Sequence, residues 1–297
     1  MKRRDFLART AGVLGTAWAT GAPGGNSTTF ASPLLSAVAA GTTLSASDTV
    51  ELGKTGIKTS RLAMGTGTVG SGHHSHQTAL GIDGLSALLL HGYDQGLRFF
   101  DTADAYGSHP HVAEALKRVP RDKVTVLTKS FSRDPAGMRA DLDRFRKELK
   151  TEYLDIVLMH CLTEDDWPQR YASVMDVLSE AKQKGIIRAH GCSCHTLGAL
   201  RAAAASPWVE VDLARINPIE SHMDAEPATV AGVLRQMKSF GKAVIGMKIL
   251  GQGDMRNRVD EALKFALSLG VLDAFTIGAE SIGEQQDLIR RIGAVRA

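Results

Sequence analysis

The sequence has 297 residues, of which 43% are hydrophobic and 23% charged, as is typical of a soluble globular protein with one large or two modest domains. Its formal net charge of +3 resides in residues 1–39, which hold four basic side chains against Asp5 alone. The rest of the chain is therefore close to neutral, and nothing in it supports the clustered positive charge that a nucleic-acid partner needs, so we expect no nucleic-acid partner. Three cysteines are too few, and odd in number, for a disulfide framework.

The first 22 residues, MKRRDFLARTAGVLGTAWATGA, begin with basic residues and continue as a short, weakly apolar run. This pattern is typical of an export signal and is too short and mild for a membrane-spanning helix. The pair Arg3-Arg4 resembles a twin-arginine signal, which predicts the Tat export machinery as a partner and a periplasmic or other extracytoplasmic location, without stable membrane insertion. The alternative is a disordered basic tail.

Two A-x-A sequences, at residues 17–19 and 37–39, are candidate cleavage sites. We favour the second because a segment rich in Gly, Ser and Thr follows it. The sequence therefore predicts a signal peptide over residues 1–39, a linker over residues 40–49 and a folded domain over residues 50–297.

From residue 50 the pattern alternates between short β-rich runs and longer helical stretches. Residues 50–65 read as two short strands around a Lys54-Thr55-Gly56 turn. The candidate strands that follow are Arg61–Met64, Arg98–Asp101, Val124–Lys129, Leu154–His160, Arg188–Ser193, Leu213–Asn217, Ala243–Lys248 and Ala274–Ile277. Apolar residues at helical spacing lie between them, for example Met138, Leu142, Phe145 and Leu149.

Eight strand–helix units in about 240 residues predict an α/β protein with the (β/α)8 TIM barrel fold. A doubly wound sheet is the competing arrangement, and it would place a glycine fingerprint directly between the first strand and a helix. The glycine-rich stretch MGTGTVGSG, residues 64–72, leads instead into His73-His74-Ser75-His76. We therefore interpret it as a loop over the barrel mouth.

Polar residues occur at the ends of three successive predicted strands, where a barrel carries its chemistry. Asp101 ends one strand with Tyr106 in the loop after it, Lys129 ends the next strand, and His160 ends the third. A free tyrosine has a pKa of about 10 and is a poor acid near neutral pH, but a nearby ammonium favours the phenolate. We expect Lys129 to lower the pKa of Tyr106, Asp101 to hold Lys129, and His160 to donate a hydrogen bond to a carbonyl oxygen. Such a site needs only a hydride source, which a nicotinamide cofactor would supply.

From about Val50 to its end the chain resembles the aldo-keto reductases. The motifs that carry the resemblance are ELGKTGIKTSRLAMGTG, GLRFFDTADAYG, VLTKS, YLDIVLMH and KGIIRAHGCS. The resemblance implies a (β/α)8 barrel and the NADPH- or NADH-dependent reduction of an aldehyde or ketone, or oxidation of the alcohol. It makes Tyr106 the general acid, with Lys129 tuning it, Asp101 supporting Lys129, and His160 orienting a small-molecule carbonyl substrate.

The cofactor positions that the resemblance implies depart from the family pattern in several places. Ser193 is followed by Cys194 where the family usually has Ser-Asn, and Asn217 is followed by Pro218, which offers no amide. Met247 and Lys248 stand where an aromatic residue is common. The remaining cofactor-binding candidates are Gly65, Thr66, Gly278, Glu280 and Ser281.

The resemblance therefore implies NADP or NAD as the cofactor, and Glu280 is the residue that bears on the choice between them. A helix beginning near Ser281 suits a phosphate through its free N–H groups. Family members that prefer NADP carry a basic residue in this segment, whereas Glu280 favours recognition of ribose hydroxyls. We expect a preference for NADH, or weak binding of either form. The sequence also stops soon after the predicted eighth helix, so we expect an open substrate pocket.

Two other interpretations stay open. A metal site could use His160, Cys161, Cys192, Cys194 and His195, since His and Cys suit zinc. Because strand neighbours point to opposite faces, His160 and Cys161 should not both face the pocket, and we expect no metal site. The barrel could instead be a binding or scaffold protein that lost turnover, in view of the altered cofactor contacts.

Overall fold

The computed structural model describes residues 44–295. The predicted signal peptide, residues 1–39, lies outside the described residues, as do residues 40–43 and 296–297. The predicted linker is described from Leu44 onward, and Leu44 and Ala46 are buried. The amide of Leu62 donates a hydrogen bond of 3.0 Å to the carbonyl of Ala46, so this segment packs against the first strand of the barrel.

A hairpin of two short antiparallel strands, β1 (Thr49–Glu51) and β2 (Lys58–Ser60), precedes the barrel. Leu52 and Ile57 in its turn are fully buried and join the apolar cluster inside the barrel. Gly53 has a φ of 52°, and a Cβ there would lie 2.4 Å from the backbone nitrogen of Ala243. The turn therefore needs glycine to sit this close to the backbone at the N-terminal end of the barrel.

Eight parallel strands close into the predicted barrel in the order β10-β3-β4-β5-β6-β7-β8-β9. Their bounds are β3 Leu62–Gly65, β4 Phe99–Asp101, β5 Thr125–Ser130, β6 Leu154–Leu162, β7 Ile187–Cys194, β8 Val211–Arg215, β9 Ala243–Met247 and β10 Ala274–Ile277. The (β/α)8 barrel prediction is confirmed.

The helices pack around the outside of the strands. Their bounds are α1 Gly81–Asp94, α2 His109–Leu116, α3 Pro135–Leu149, α4 Trp167–Arg170, α5 Ala172–Gln183, α6 Leu197–Ala205, α7 Pro227–Ser239, α8 Val259–Ser268 and α9 Ile282–Ala294. Apolar faces read from the sequence are buried as expected: in α3 these are Met138, Leu142, Phe145 and Leu149. Among residues 44–295, none of the helices is both long and apolar enough to cross a membrane.

One predicted strand is displaced along the chain. The sequence predicts a strand over Leu213–Asn217, whereas β8 covers Val211–Arg215. Asn217 lies beyond the ladder because its own side chain and amide bond to the following loop, and Pro218 cannot donate to a ladder. The side chain of Asn217 is therefore placed by the loop after β8 and not by the strand.

Candidate active site

The buried ion pair Lys129–Asp101 forms the base of the site, at the C-terminal ends of β5 and β4. Lys129 Nζ lies 2.5 Å from Asp101 Oδ1 and donates a second hydrogen bond of 2.8 Å to the carbonyl of Thr102. Thr276, on β10, donates from Oγ1 to Asp101 Oδ2 at 2.8 Å. Burial acts to lower the pKa of Lys129, but its interactions with Asp101 and Tyr106 outweigh it, so the pKa is raised and the ammonium is retained.

Tyr106 lies in a short 3-10 turn, Asp104–Tyr106, that follows β4. Lys129 Nζ is 4.7 Å from the centroid of its ring. Gly67 and Gly70, in the loop after β3, pack against the same ring: a Cβ at these positions would lie 2.2 Å and 2.4 Å from ring carbons. Only glycine allows the loop to approach the ring this closely, so the loop holds the tyrosine in place.

The pKa of Tyr106 differs from the sequence expectation. Burial raises it above its usual value, and the nearby charge of Lys129 opposes this without overcoming it. Tyr106 is therefore a protonated phenol at neutral pH. The ammonium beside it stabilises the phenolate at the moment a proton leaves, which is the property that a general acid needs.

His160 closes the other side of the site. Its ring makes an edge contact with Tyr106, with 5.8 Å between centroids, and stacks on Phe131 at 4.4 Å. Burial, together with the charge of Lys129, lowers the pKa of His160 to about 2, so the imidazole is neutral and carries one N–H. Nδ1 is buried without a hydrogen-bond partner within residues 44–295. The backbone carbonyl of His160 accepts from the Arg133 guanidinium.

A β-bulge places Cys161 at the mouth as well. The pairing of β6 with β7 shifts between Met159 and Leu162, and Cys161 has a left-handed φ of 55°. Its sulfur lies 3.4 Å from Nε2 of His195. The expectation that neighbours His160 and Cys161 cannot both face the mouth is therefore wrong, because the bulge interrupts the alternation.

The cofactor candidates on β7 and after β8 make contacts within the protein. Ser193 Oγ accepts a hydrogen bond of 3.0 Å from the Cys161 amide. The side chain of Asn217 makes four hydrogen bonds: it donates to the carbonyls of Ser221 and Lys248 and accepts from the amides of Ile219 and Ser221. Because Asn217 uses both N–H groups of its amide and both acceptor positions of its oxygen in these contacts, its side chain stabilises the loop after β8.

Positive charge collects at the mouth beyond β9. Met247 ends that strand half-buried, and Lys248 follows in a left-handed conformation, with a φ of 58°. Burial and the neighbouring charge of Arg215 lower the pKa of Lys248 to about 8. Arg215 is itself ion-paired with Asp224, so Lys248 is the cationic side chain at this point that suits an anionic ligand such as a pyrophosphate.

The remaining candidates lie where β3 and β10 end side by side. A Cβ on Gly65 would come within 3.0 Å of the Gly278 nitrogen, and one on Gly278 would come within 2.5 Å of Thr68 Oγ1. Thr66 is buried, and its hydroxyl is bonded to the Asp101 carbonyl at 2.9 Å and to Ser108 at 2.8 Å. A side chain at Gly65 or Gly278 would collide with these neighbours, so glycine at both positions lets the ends of β3 and β10 and the loop after β3 pack closely. Thr66 connects that loop to β4 through its hydrogen bond to Asp101.

The start of α9 carries acidic groups. Ser281 caps the helix by accepting from the Glu284 amide at 3.2 Å, and Glu284 returns its carboxylate to the Glu280 amide at 2.8 Å. The Glu280 carboxylate lies 2.7 Å from His76 Nδ1 of the loop after β3. This reciprocal cap is negatively charged, and it suits ribose hydroxyls better than a phosphate. That Glu280 and Ser281 contact the cofactor stays a prediction.

Several residues of the site escaped the sequence reasoning. Thr276 supports Asp101 from a strand 175 positions away. Arg144, on α3, holds Asp104 with two bonds of 2.6 and 2.9 Å, so Asp104 is an anchor in addition to a turn residue. Phe131 remains 49% exposed at the mouth beside His160. Only Phe131 gave a usable signal, as an aromatic residue two positions after a predicted strand end.

The fold and site together define a (β/α)8 barrel that carries a Tyr–Lys–Asp–His group at its mouth. A sequence profile of the Aldo/keto reductase family matches residues 61–266, well over half of the chain. The chain belongs to this family.

Relatives with known names match parts of the chain. A probable aldo-keto reductase 1 of Glycine max is 31% identical over 126 residues, covering 37% of this chain and 35% of that protein. The NADH-specific methylglyoxal reductase of Escherichia coli is 28% identical over 170 residues, covering 48% and 51%. The matches thus span a third to a half of these relatives. A putative aldo-keto reductase structure from Pseudomonas aeruginosa superimposes with a TM-score of 0.70 at 22% identity, covering 84% of this chain and 96% of that one.

Proposed function

We propose that this protein is an NAD(P)H-dependent oxidoreductase that reduces an aldehyde or ketone, or oxidises the corresponding alcohol. The observation that carries the proposal is the buried Asp101–Lys129 pair beneath Tyr106, with neutral His160 beside the same phenol. Membership of the aldo-keto reductase family supports the same reaction class.

Each residue has a chemical task in this proposal. A bound nicotinamide cofactor supplies the hydride. Tyr106 gives its phenolic proton to the carbonyl oxygen, and Lys129 stabilises the phenolate that results. Asp101 fixes the ammonium, and the N–H of neutral His160 orients the carbonyl by a hydrogen bond.

The residues present fit a dinucleotide that lacks a 2′-phosphate. Lys248 places positive charge at the mouth for the pyrophosphate, and the Ser193 hydroxyl keeps its proton for donation. Gly65 and Met247 would border the nicotinamide, and Gly278 and Ser281 the adenosine side. Glu280 favours ribose hydroxyls, so we propose a preference for NADH, the cofactor for which the Escherichia coli relative is named.

Fluorescence titration of the purified protein with NADH and NADPH tests the preference. We expect NADH to bind at least tenfold more tightly, and the variant Glu280→Arg to narrow or reverse that ratio, since it replaces an acidic group with a basic one. Tighter binding of NADPH by the unmodified protein would refute the preference.

Steady-state oxidation of NADH with a panel of aldehydes and ketones tests the reaction. Methylglyoxal is a suitable first substrate because relatives are named for it. We expect Tyr106→Phe to lose at least a hundredfold in kcat while still binding the cofactor. The control Tyr153→Phe removes a hydroxyl far from the site, beside Arg121, and should keep full activity.

One observation supports the alternative that the barrel is a binding or scaffold protein without turnover. The side chain of Asn217, a candidate cofactor contact, makes its hydrogen bonds within the protein instead. Absence of both turnover and cofactor binding in the unmodified protein would favour it. Turnover that Tyr106→Phe abolishes would favour the reductase.

We also propose export through the Tat machinery to the periplasm or another extracytoplasmic compartment, on the evidence of Arg3-Arg4 and the weakly apolar run that follows. Cell fractionation of the full chain beside the Arg3→Lys/Arg4→Lys variant tests this. We expect the variant to stay in the cytoplasm; equal distribution of both proteins would contradict export by this route.

A further inference from the structure

Two cysteines and an aspartate meet on the outer face of the barrel wall. Cys192 and Cys194 are two residues apart on β7 and share one face, and Asp212 is the partner of Cys192 on β8. All three side chains are fully buried between the strands and the helices. Ser193, between the cysteines, turns its hydroxyl toward Cys161 at the mouth. The cluster is thus separated from the carbonyl site by the thickness of the sheet.

The contacts inside this cluster leave one polar atom unexplained. The sulfurs of Cys192 and Cys194 are 3.8 Å apart, and Cys192 Sγ lies 3.5 Å from Asp212 Oδ1. Asp212 Oδ2 is fully buried and has no hydrogen-bond partner within residues 44–295. A buried carboxylate oxygen without a partner is costly, so native structures seldom retain one unless an ion or water satisfies it.

We propose that Cys192, Cys194 and Asp212 bind a structural Zn²⁺ ion. Two thiolates about 2.3 Å from a tetrahedral zinc lie about 3.8 Å apart, and a thiolate and a carboxylate oxygen about 2.0 Å from it lie about 3.5 Å apart. Both separations match those in the structure. Asp212 would bind chiefly through Oδ1, and a second, longer contact from the same ion would give Oδ2 a partner. Because the two oxygens of one carboxylate lie too close together for two corners of a tetrahedron, the site would be a distorted one.

A bound divalent cation would offset most of the charge that these three ligands carry once they are deprotonated. Two thiolates and a carboxylate leave a net charge of −1 around Zn²⁺. Lys242 is buried nearby, and its charge acts on both Cys192 and Asp212. Its ammonium donates to the carbonyls of Ala203 and Ser206, so it offsets the charge without occupying the ligand atoms.

A disulfide is a poorer explanation for the cysteine pair. Residues two apart in a strand have Cα atoms about 6.6 Å apart, at the far end of the disulfide range. A second cluster, Asp104, His109 and Glu148, has similar ligand atoms but is already satisfied: Arg144 binds both carboxylates, and each nitrogen of His109 has a partner. Only the cysteine cluster therefore combines metal-ligand chemistry with an orphaned oxygen in the part of the chain described.

Metal analysis of the full-length protein tests the proposal. Protein from zinc-supplemented cells, freed of loose metal by dialysis, should contain one zinc per chain by inductively coupled plasma mass spectrometry. The control Cys161→Ser should keep that zinc, whereas Cys192→Ser/Cys194→Ser and Asp212→Asn should lose at least nine-tenths of it.

Cobalt substitution keeps the test valid if those variants fail to fold. Protein produced in cobalt-supplemented medium should show thiolate-to-cobalt charge-transfer absorption in the near ultraviolet and the visible bands of a tetrahedral site. Less than one-tenth equivalent of either metal in folded unmodified protein would overturn the proposal. A titration that finds one free thiol per unfolded chain instead of three would also overturn it, in favour of a disulfide.

Discussion

Asp101 is held from two sides, and the second side comes from the far end of the chain. Lys129 bonds one carboxylate oxygen and Thr276 the other. The sequence placed Lys129 beside Asp101 because both end neighbouring strands. It did not reveal Thr276, since that contact depends on β10 closing the barrel against β3.

Thr276→Val removes one bond to a buried carboxylate while keeping the side-chain shape. We expect a loss of about 1–3 kcal/mol in the free energy of unfolding, because Asp101 Oδ2 is left without its partner. A several-fold lower kcat should accompany it as the ion pair loosens. Urea unfolding and steady-state kinetics measure both. Thr229→Val, which removes an exposed bond to Glu226, should cost less than about 1 kcal/mol.

The pKa values of Tyr106 and His160 predict a flat pH profile for the proposed reduction. The acid must be protonated, and burial raises the pKa of Tyr106 above about 10. The histidine must be neutral, and its pKa is about 2. We therefore expect kcat/KM to vary little between pH 5 and 9 from these two groups and to fall only as pH rises through the pKa of Tyr106. A profile with a midpoint near 6.5 that disappears in His160→Gln would contradict this.

At the scale of elements, the strands were predicted closely, and the failures have local causes. The runs ending at Asp101 and Lys129 lie within one residue of β4 and β5. The bulge at Cys161 was missed because alternation carries no sign of an inserted residue. β8 was displaced because the apolar run extends into Ile216, which is buried although the strand ends at Arg215.

Helix α3 holds the turn that carries Tyr106 through Arg144. Its guanidinium bonds both oxygens of Asp104, at the start of the turn that ends in Tyr106. Arg144→Met should lower kcat several-fold with a stability loss of only about 1 kcal/mol, since the pair is partly exposed. Arg146→Met, on the same helix, breaks the pair with Asp143 and should leave kcat unchanged. Equal kinetics for the two variants would show that the turn is held by other contacts.

At the scale of the whole molecule, the burial of His160 makes the free energy of unfolding depend on pH under acidic conditions. The native state keeps this imidazole neutral down to a pH of about 2, while the unfolded chain takes up a proton below about 6.5. Stability from this group is thus present above pH 6.5 and is lost as pH falls. Relative to His160→Gln, the unmodified protein should lose up to about 1.4 kcal/mol per pH unit between pH 6 and 4. Thermal unfolding of both proteins across that range measures the difference; parallel curves would argue against a buried neutral imidazole.

The packing of Gly67 and Gly70 on Tyr106 has a stereochemical consequence for the proposed reaction. With these glycines and Lys129 against the ring and His160 at its edge, the phenol cannot turn, and its proton leaves in a single direction. A prochiral ketone held through its oxygen by Tyr106 and His160, with its larger substituent on the open side of the mouth, would then present the same face at every turnover. We expect one alcohol enantiomer in large excess, measurable by chiral chromatography, and an erosion of that excess in Gly67→Ala, which displaces the ring.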